Sequence, residues 1–131
     1  MNTKLTKILA EISAGELLDK ITILEIKKEK IKDSQKLKNI DKELSSLTRT
    51  SKEKIPDKSG IDDLISSLKK INLKLWDIEE NKRLAEKNKK FDDKFVKLSR
   101  DVYKSNDERA KIKLKINEIL GSNIKEVKSH Y

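Results

Sequence analysis

The chain has 131 residues, of which 34% are hydrophobic and 42% are charged, and its formal net charge is +9. This length is enough for one domain with its own core, but the low apolar content requires that core to be narrow. The absence of cysteine excludes disulfides, zinc-thiolate sites and thiol nucleophiles, and the three glycines and one proline favour long helices over strands.

The positive charge is divided evenly, because residues 1–59 carry a net charge of +4 and the remaining residues carry +5. A solvated, lysine-rich surface explains this distribution without a basic arm for nucleic acid. No apolar stretch approaches the roughly 18 residues of a membrane span, and the apolar run near the amino terminus is too short for a signal peptide. We therefore expect a cytoplasmic protein without a membrane span.

Two helices are predicted in the first part of the chain. Helix α1 covers about 14–31 and begins with a capping box, in which Ser13 caps the backbone while Glu16 reaches back. Helix α2 covers about 35–50 and begins after Asp33 or Ser34. Its apolar residues alternate three and four positions apart, as one face of a helix requires. These residues are Leu37, Ile40, Leu44 and Leu47.

Residues 51–59 contain the only proline and lose the helical periodicity, so they are predicted to connect two helical hairpins. Helix α3 follows over about 60–86, with Ser59 as its expected cap. It carries the clearest apolar stripe of the sequence. The stripe consists of Ile61, Leu64, Leu68, Ile71, Leu75 and Ile78.

Helix α4 is predicted over about 91–120, with Gly121 as its stop and residues 121–131 as an irregular tail. Its apolar residues are Phe91, Phe95, Leu98, Val102, Ile112, Ile116 and Ile119. The sequence thus predicts a single all-α domain over residues 1–131. Two antiparallel hairpins would form a three- to four-helix bundle, in which the α3/α4 hairpin is the long one.

Polar side chains interrupt the apolar faces of three helices. In α1, Glu25 and Lys28 lie beside the core direction, which is defined by Leu17, Ile21, Leu24 and Ile31. The row beside the α3 stripe consists of Asn72, Trp76, Glu79 and Arg83. In α4, Ser105 and Arg109 occupy positions where the pattern predicts apolar residues, and Tyr103 and Asn106 lie on the adjoining row. Buried polar groups must be paired, hydrated or bound to a ligand.

The distribution of arginine points to the same region. The chain has 28 lysines and four arginines, and Arg83, Arg100 and Arg109 all fall in the polar rows of α3 and α4. Arginine binds carboxylate or phosphate with two parallel hydrogen bonds, which lysine cannot do. If the α3/α4 hairpin folds near residue 89, Asn72 lies level with Asn106. The arginines either pair with acids to fix the hairpin register or form an anion-binding site.

We predict a binding site between α1, α3 and α4 in which the arginines surround an anion and Trp76 forms part of an apolar wall. Its candidate residues are Glu25, Lys28, Asn72, Trp76, Glu79, Arg83, Arg100, Tyr103, Asn106 and Arg109. Helix α1 should pack in the α3/α4 groove, with Glu25 within ion-pair distance of one of the three arginines. The sequence contains no metal-binding or cofactor motif, so no metal or cofactor is expected and no catalytic residue is assigned.

Four segments of the sequence carry a resemblance to a known family. GELLDKITILEIK, INLKLWDIE, LSRDVYKSNDERAKIKLKIN and the final KSHY together resemble a family of small bacterial all-helical proteins classified as a domain of unknown function. This resemblance implies a shared helical fold but no reaction or substrate. NLKLWDIE with the later NDER is similar to a second helical family whose genes lie near those of glycosyltransferases, which implies a role in surface-glycan metabolism.

Three functional hypotheses follow from these observations. The first is binding of a small anionic ligand, such as a phosphate, a sugar nucleotide or a carboxylate, between α1, α3 and α4. The alternative is a non-catalytic adaptor or oligomerisation module that binds a protein partner or a second copy of the chain. Nucleic-acid binding through the basic surface ranks third, because the lysines form no block along the sequence.

Overall fold

The computed structural model describes residues 4–127, and within that range it contains four helices and no strands. The helices are α1 (Ala14–Lys30), α2 (Ser34–Lys54), α3 (Ile61–Lys87) and α4 (Asp93–Leu120). The predicted all-α class is therefore confirmed. None of these helices is long and apolar enough to cross a membrane.

The predicted ends of α1 and α2 agree with the structure in part. The Ser13 hydroxyl accepts a hydrogen bond from the Glu16 backbone N–H, as predicted, but the Glu16 carboxylate binds Lys113 instead of closing the capping box. Helix α2 begins after Asp33 and extends to residue 54 rather than 50. It ends where Pro56 forces the preceding residue, Ile55, into an extended conformation.

The second hairpin differs from prediction at its helix starts. The predicted Ser59 cap of α3 is wrong, because α3 follows Gly60 in the left-handed region at φ 88° and no side chain caps it. Helix α4 begins at residue 93 rather than 91, because the Asp92 carboxylate accepts a hydrogen bond from the Phe95 N–H. Its predicted stop at Gly121 is confirmed, with φ at 63°.

Helix α1 is the central element of the bundle. It packs against α3 and α4, which form the long hairpin, and it also packs against α2. Helix α2 contacts no other helix. The main core lies between α1, α3 and α4 and is built around Leu18, Ile61, Leu68, Ile71 and Ile116. The prediction that α1 lies in the α3/α4 groove is confirmed.

A glycine allows α1 and α4 to approach closely. A Cβ atom at Gly15 would lie 2.6 Å from the carbonyl oxygen of Lys113 and 2.9 Å from Oδ1 of Asn117. The Gly15 N–H donates a hydrogen bond of 2.6 Å to the same Asn117 oxygen. Only a residue without a side chain fits at this crossing.

The segment after α4 is irregular over residues 121–127 and is tied to the start of α1. The Ser13 hydroxyl donates a hydrogen bond of 2.5 Å to Glu126, and the Ser122 hydroxyl accepts one of 3.1 Å from the Ala14 N–H. The rest of the predicted tail, including the KSHY motif, lies outside the described residues.

Candidate ligand-binding site

A cavity of about 480 Å³ lies between α1, α3 and α4. Its apolar wall consists of Ile23, Ile26, Leu75, Trp76 and Val102. Its polar wall consists of Asn72, Glu79, Glu80, Arg83, Asn106 and Arg109. Six of the ten site residues predicted from the sequence line this cavity: Asn72, Trp76, Glu79, Arg83, Asn106 and Arg109.

Three of the other nominated residues lie elsewhere. The Lys28 amine pairs with the Asp41 carboxylate of α2 at 3.0 Å, on a side of α1 that does not line the cavity. Arg100 and Tyr103 are exposed on α4, and Tyr103 is 54% exposed. Val102 and Asn106 line the cavity, and at 100° per residue Tyr103 points about 100° from Val102 and about 60° from Asn106 around α4. These three residues therefore do not line the cavity.

The predicted pairing of Glu25 with an arginine is wrong. Glu25 is half-buried but lies within ion-pair distance of no arginine in the described part of the chain, and the arginine of the groove, Arg109, binds Asp19 instead. The physical reason is that α1 has two buried sides. The side that carries Lys28 belongs to the α2 contact, whereas Asp19 lies about 120° around the helix from Glu25.

Asp19 is the centre of a buried polar cluster. It is 0% exposed, and its carboxylate accepts hydrogen bonds from both Nε and Nη2 of Arg109, the former at 2.9 Å. Asn72 donates a third hydrogen bond to it through Nδ2, also at 2.9 Å. A buried carboxylate is tolerated only when it is paired and hydrogen-bonded, and this two-pronged arginine contact meets both conditions.

Thr22 and Asn72 complete the cluster. The Thr22 hydroxyl donates to the Asp19 main-chain oxygen at 2.8 Å and accepts from Asn72 Nδ2 at 2.9 Å. The carbonyl oxygen of Asn72 receives no hydrogen bond from a described residue, although Asn72 lines the cavity. Nδ2 makes its two hydrogen bonds within the cluster, so Oδ1 is the polar side-chain atom of Asn72 that keeps its capacity to accept.

Arg109 is held as a cation beside the cavity. The hydrogen bonds with Asp19 raise the pKa of its guanidinium and outweigh the opposing effect of burial. Nε and Nη2 donate to Asp19, and Nη1 donates a hydrogen bond of 3.5 Å to Asn106 Oδ1. The second N–H of Nη1 is bound to no described residue. Arg109 can therefore offer a hydrogen bond to a ligand without giving up its structural pair.

A second charged cluster joins α1 and α4 to the irregular segment. The Lys113 amine lies 2.5 Å from a Glu16 carboxylate oxygen and 3.0 Å from one of Glu126. Burial lowers the pKa of Lys113, but its hydrogen bonds to these two glutamates more than offset this effect and raise the pKa. Lys113 also lies 4.0 Å from Asp19, which connects the two clusters.

Asp19 and Thr22 belong to the cluster although the apolar pattern of the sequence does not predict them as site residues. They form a row with Gly15 and Ile26 in which successive members are four, three and four positions apart, the spacing of a buried helix face. All four residues are buried. Only one member of this row is a large apolar residue, so the hydrophobic pattern does not mark it as buried. The neighbouring side of α1 is more apolar and gives the stronger signal.

The fold and the cavity define an all-helical bundle protein with an internal aspartate–arginine pair. A family model described as "Family of unknown function (DUF6165)" matches residues 8–131, and the chain belongs to that family. The predicted resemblance to a helical family of unknown function is thereby confirmed. No curated protein and no solved structure matched the chain.

The described residues contain no group of three or more histidine, cysteine, aspartate or glutamate side chains arranged to hold a metal ion. The acids that face the cavity are Glu79 and Glu80, which are consecutive on α3. Consecutive helix positions point about 100° apart, so these two carboxylates do not form a facing pair for acid–base chemistry.

Proposed function

We propose that the chain binds a small organic anion in the cavity between α1, α3 and α4. The observation that carries this proposal is the state of Arg109, which Asp19 holds in place while Nη1 remains beside the cavity. An arginine whose position is already fixed loses little conformational entropy when it binds an anion. Asn72 and Asn106 lie on the same polar wall and would orient the ligand.

The ligand should also have an apolar or planar part. Trp76, Leu75 and Val102 form a continuous apolar wall next to the polar residues, and the cavity volume falls in the range of about 300–1,000 Å³ that is typical of small-molecule sites. A flat ring against Trp76 would bury apolar surface on both partners. Inorganic phosphate has no group that would occupy this wall.

The end of the cavity that lies farther along α3 from Asn72 favours a ligand with hydroxyl groups. Glu79 lies two helical turns beyond Asn72, about 10 Å along α3, and Glu80 and Arg83 lie beside it. The two glutamates accept hydrogen bonds and Arg83 donates them, so a group that both donates and accepts, such as a hydroxyl, suits this end. A sugar nucleotide combines an anionic diphosphate, a planar base and sugar hydroxyls, and we favour it over a bare phosphate or a dicarboxylate.

A sugar-nucleotide ligand would be consistent with a role in surface-glycan metabolism. The experiment is calorimetric titration of the full chain with UDP-glucose, inorganic phosphate and succinate. We expect UDP-glucose to bind, and Asn106→Ala to weaken its affinity at least roughly tenfold, the effect of losing one hydrogen bond to a charged group. Arg83→Met should weaken it similarly.

The matched control is Arg100→Met, because Arg100 is an exposed arginine of α4 outside the cavity. Its affinity for UDP-glucose should equal that of the wild type. Binding that weakens equally in the Arg100 and Arg83 variants would reflect only the general positive charge of the protein. Absence of heat with all three ligands would exclude an anion site of this kind.

A further inference from the structure

Exposed apolar side chains concentrate at one end of the bundle. Residues 4–12 carry Leu5, Ile8, Leu9 and Ile12, and the segment after α4 carries Ile124 and Val127; we call these six residues the apolar end. Leu9 is 88% exposed and Val127 is 89% exposed, whereas most large apolar residues of α1 and α3 are buried or half-buried. Such a concentration of exposed apolar groups is typical of an interaction surface.

Two hydrogen bonds tie the segment after α4 to the amino-terminal segment and to the N-cap of α1. Asn123 Nδ2 donates to Glu11 Oε1 at 2.5 Å, and the Ser13 hydroxyl donates to Glu126 Oε1 at 2.5 Å. The amino-terminal segment and the segment after α4 therefore touch each other next to the start of α1, and the segment after α4 turns back beside α4, where Glu126 binds Lys113. A single partner surface can contact both.

The spacing of the first four apolar residues is helical, although residues 4–12 form no helix in the structure. Leu5, Ile8, Leu9 and Ile12 follow one another at intervals of three, one and three, and would cover an arc of about 100° on one side of a helix. A helix this short is unstable in water without a surface to pack on. We therefore expect residues 4–12 to become helical when their apolar side chains pack on an apolar surface.

The charges around the apolar end identify the kind of surface. Lys4, Lys7 and Lys125 alternate with its apolar residues, and none of them has an ion pair with a described residue. The nearby acids are engaged, because Glu11 binds Asn123 and Glu126 binds Ser13 and Lys113. Unpaired lysines interleaved with exposed apolar residues complement a surface that is both anionic and apolar.

We propose that the apolar end docks on an anionic lipid membrane, where residues 4–12 fold into an amphipathic helix that lies in the interface. Such helices bind through buried apolar area combined with the attraction of lysines to acidic headgroups. A second copy of the chain is the less favourable occupant, because it brings the same unpaired lysines and the same net charge of +9 to the contact.

The test is sedimentation of the full chain with phosphatidylcholine vesicles that contain phosphatidylglycerol, compared with vesicles of phosphatidylcholine alone. We expect binding to the anionic vesicles, a gain of helical circular dichroism on binding, and weaker binding in high salt. Leu5→Ser together with Leu9→Ser should lower the partition coefficient at least roughly tenfold, because it removes two large side chains from the lipid.

The matched control is Val96→Ser, which removes an exposed apolar residue from α4 away from the apolar end. It should leave vesicle binding unchanged. Both variants alter exposed side chains, and thermal unfolding will show that each is folded. Equal vesicle binding by the wild type and the Leu5/Leu9 variant would overturn the proposal. So would a failure to bind anionic vesicles combined with a dimer, seen by light scattering, that the Leu5/Leu9 variant abolishes.

Discussion

The Arg109 guanidinium binds the Asp19 carboxylate across 90 positions of sequence and thereby ties α4 to α1 at the wall of the cavity. Asp19 is fully buried, whereas the Arg109 side chain is partly accessible. The accessible partner is the one that faces the cavity. The same contact can therefore stabilise the fold and position a cation for a ligand.

Arg109→Met should be strongly destabilising because it leaves the Asp19 carboxylate buried without its cation. We expect a loss of about 3–5 kcal/mol in the free energy of unfolding, measured by urea denaturation. Arg100→Met, on an exposed part of α4, should change it by no more than roughly 0.5 kcal/mol. Adding Asp19→Asn to Arg109→Met should restore part of the loss. Equal stability of the two arginine variants would contradict the structural role of the pair.

Gly15→Ala should destabilise the protein, although alanine normally favours a helix by up to about 1 kcal/mol over glycine. The added Cβ would meet the Lys113 carbonyl oxygen at 2.6 Å, so α1 and α4 must move apart. We expect a loss of about 1–3 kcal/mol in urea denaturation. Gly121→Ala is the comparison, since Gly121 has φ at 63° but open space around it. The loss of stability in Gly121→Ala reflects backbone strain alone. A Gly15→Ala variant that is more stable than the wild type would refute the close approach of α1 and α4.

Glu25→Ala should have little effect on stability, because Glu25 has no ion pair with a described residue. We expect a change of roughly 0–1 kcal/mol in the free energy of unfolding, because a half-buried carboxylate without a partner has no pairing energy to lose. Asp19→Ala on the same helix should cost more, because it strands the Arg109 cation and removes the acceptor of Asn72. A larger loss at Glu25 than at Asp19 would reverse the assignment of the pair.

The ionised form of Glu126 should stabilise the protein only above its usual pKa. Burial raises the pKa of Glu126, but hydrogen bonds from Ser13 and Lys113 outweigh that effect and lower it below 4.5. The folded state therefore holds this proton less tightly than the unfolded chain, and the contribution is lost as pH falls below about 4.5. The stability difference between the wild type and Glu126→Gln should be constant near neutral pH and shrink in acid. The same substitution at exposed Glu108 provides the control.

Much of the helical fold could be predicted from the sequence because its determinants are local. The apolar stripe of α3, the Ser13 cap and the Gly121 stop each depend on residues within a few positions of one another. The starts of α3 and α4 were less well predicted. At those points several neighbouring polar residues can act as a cap, and the path of the connecting loop decides between them.

The α3/α4 side of the site can be predicted in part from the sequence. Once a turn is placed near residue 89, it determines which residues of α3 lie beside which residues of α4. Asn72 and Asn106 line one cavity, in agreement with that register. The α1 side was not predictable in this way. A helix with two buried sides has no single core direction, so the sequence alone does not decide whether Asp19 or Glu25 meets the arginine.

Helix α2 packs against α1 alone, and this has a consequence for how the molecule opens. Its detachment would uncover Leu17 and Leu24, which lie on the same side of α1 as Lys28, but would leave the α1, α3 and α4 contacts intact. Amide hydrogens of α2 should therefore exchange with deuterated solvent through a partial opening of lower free energy than global unfolding. Amide hydrogens of α3 near Leu68 should exchange only when the whole protein unfolds. The cavity between α1, α3 and α4 should therefore remain formed when α2 detaches.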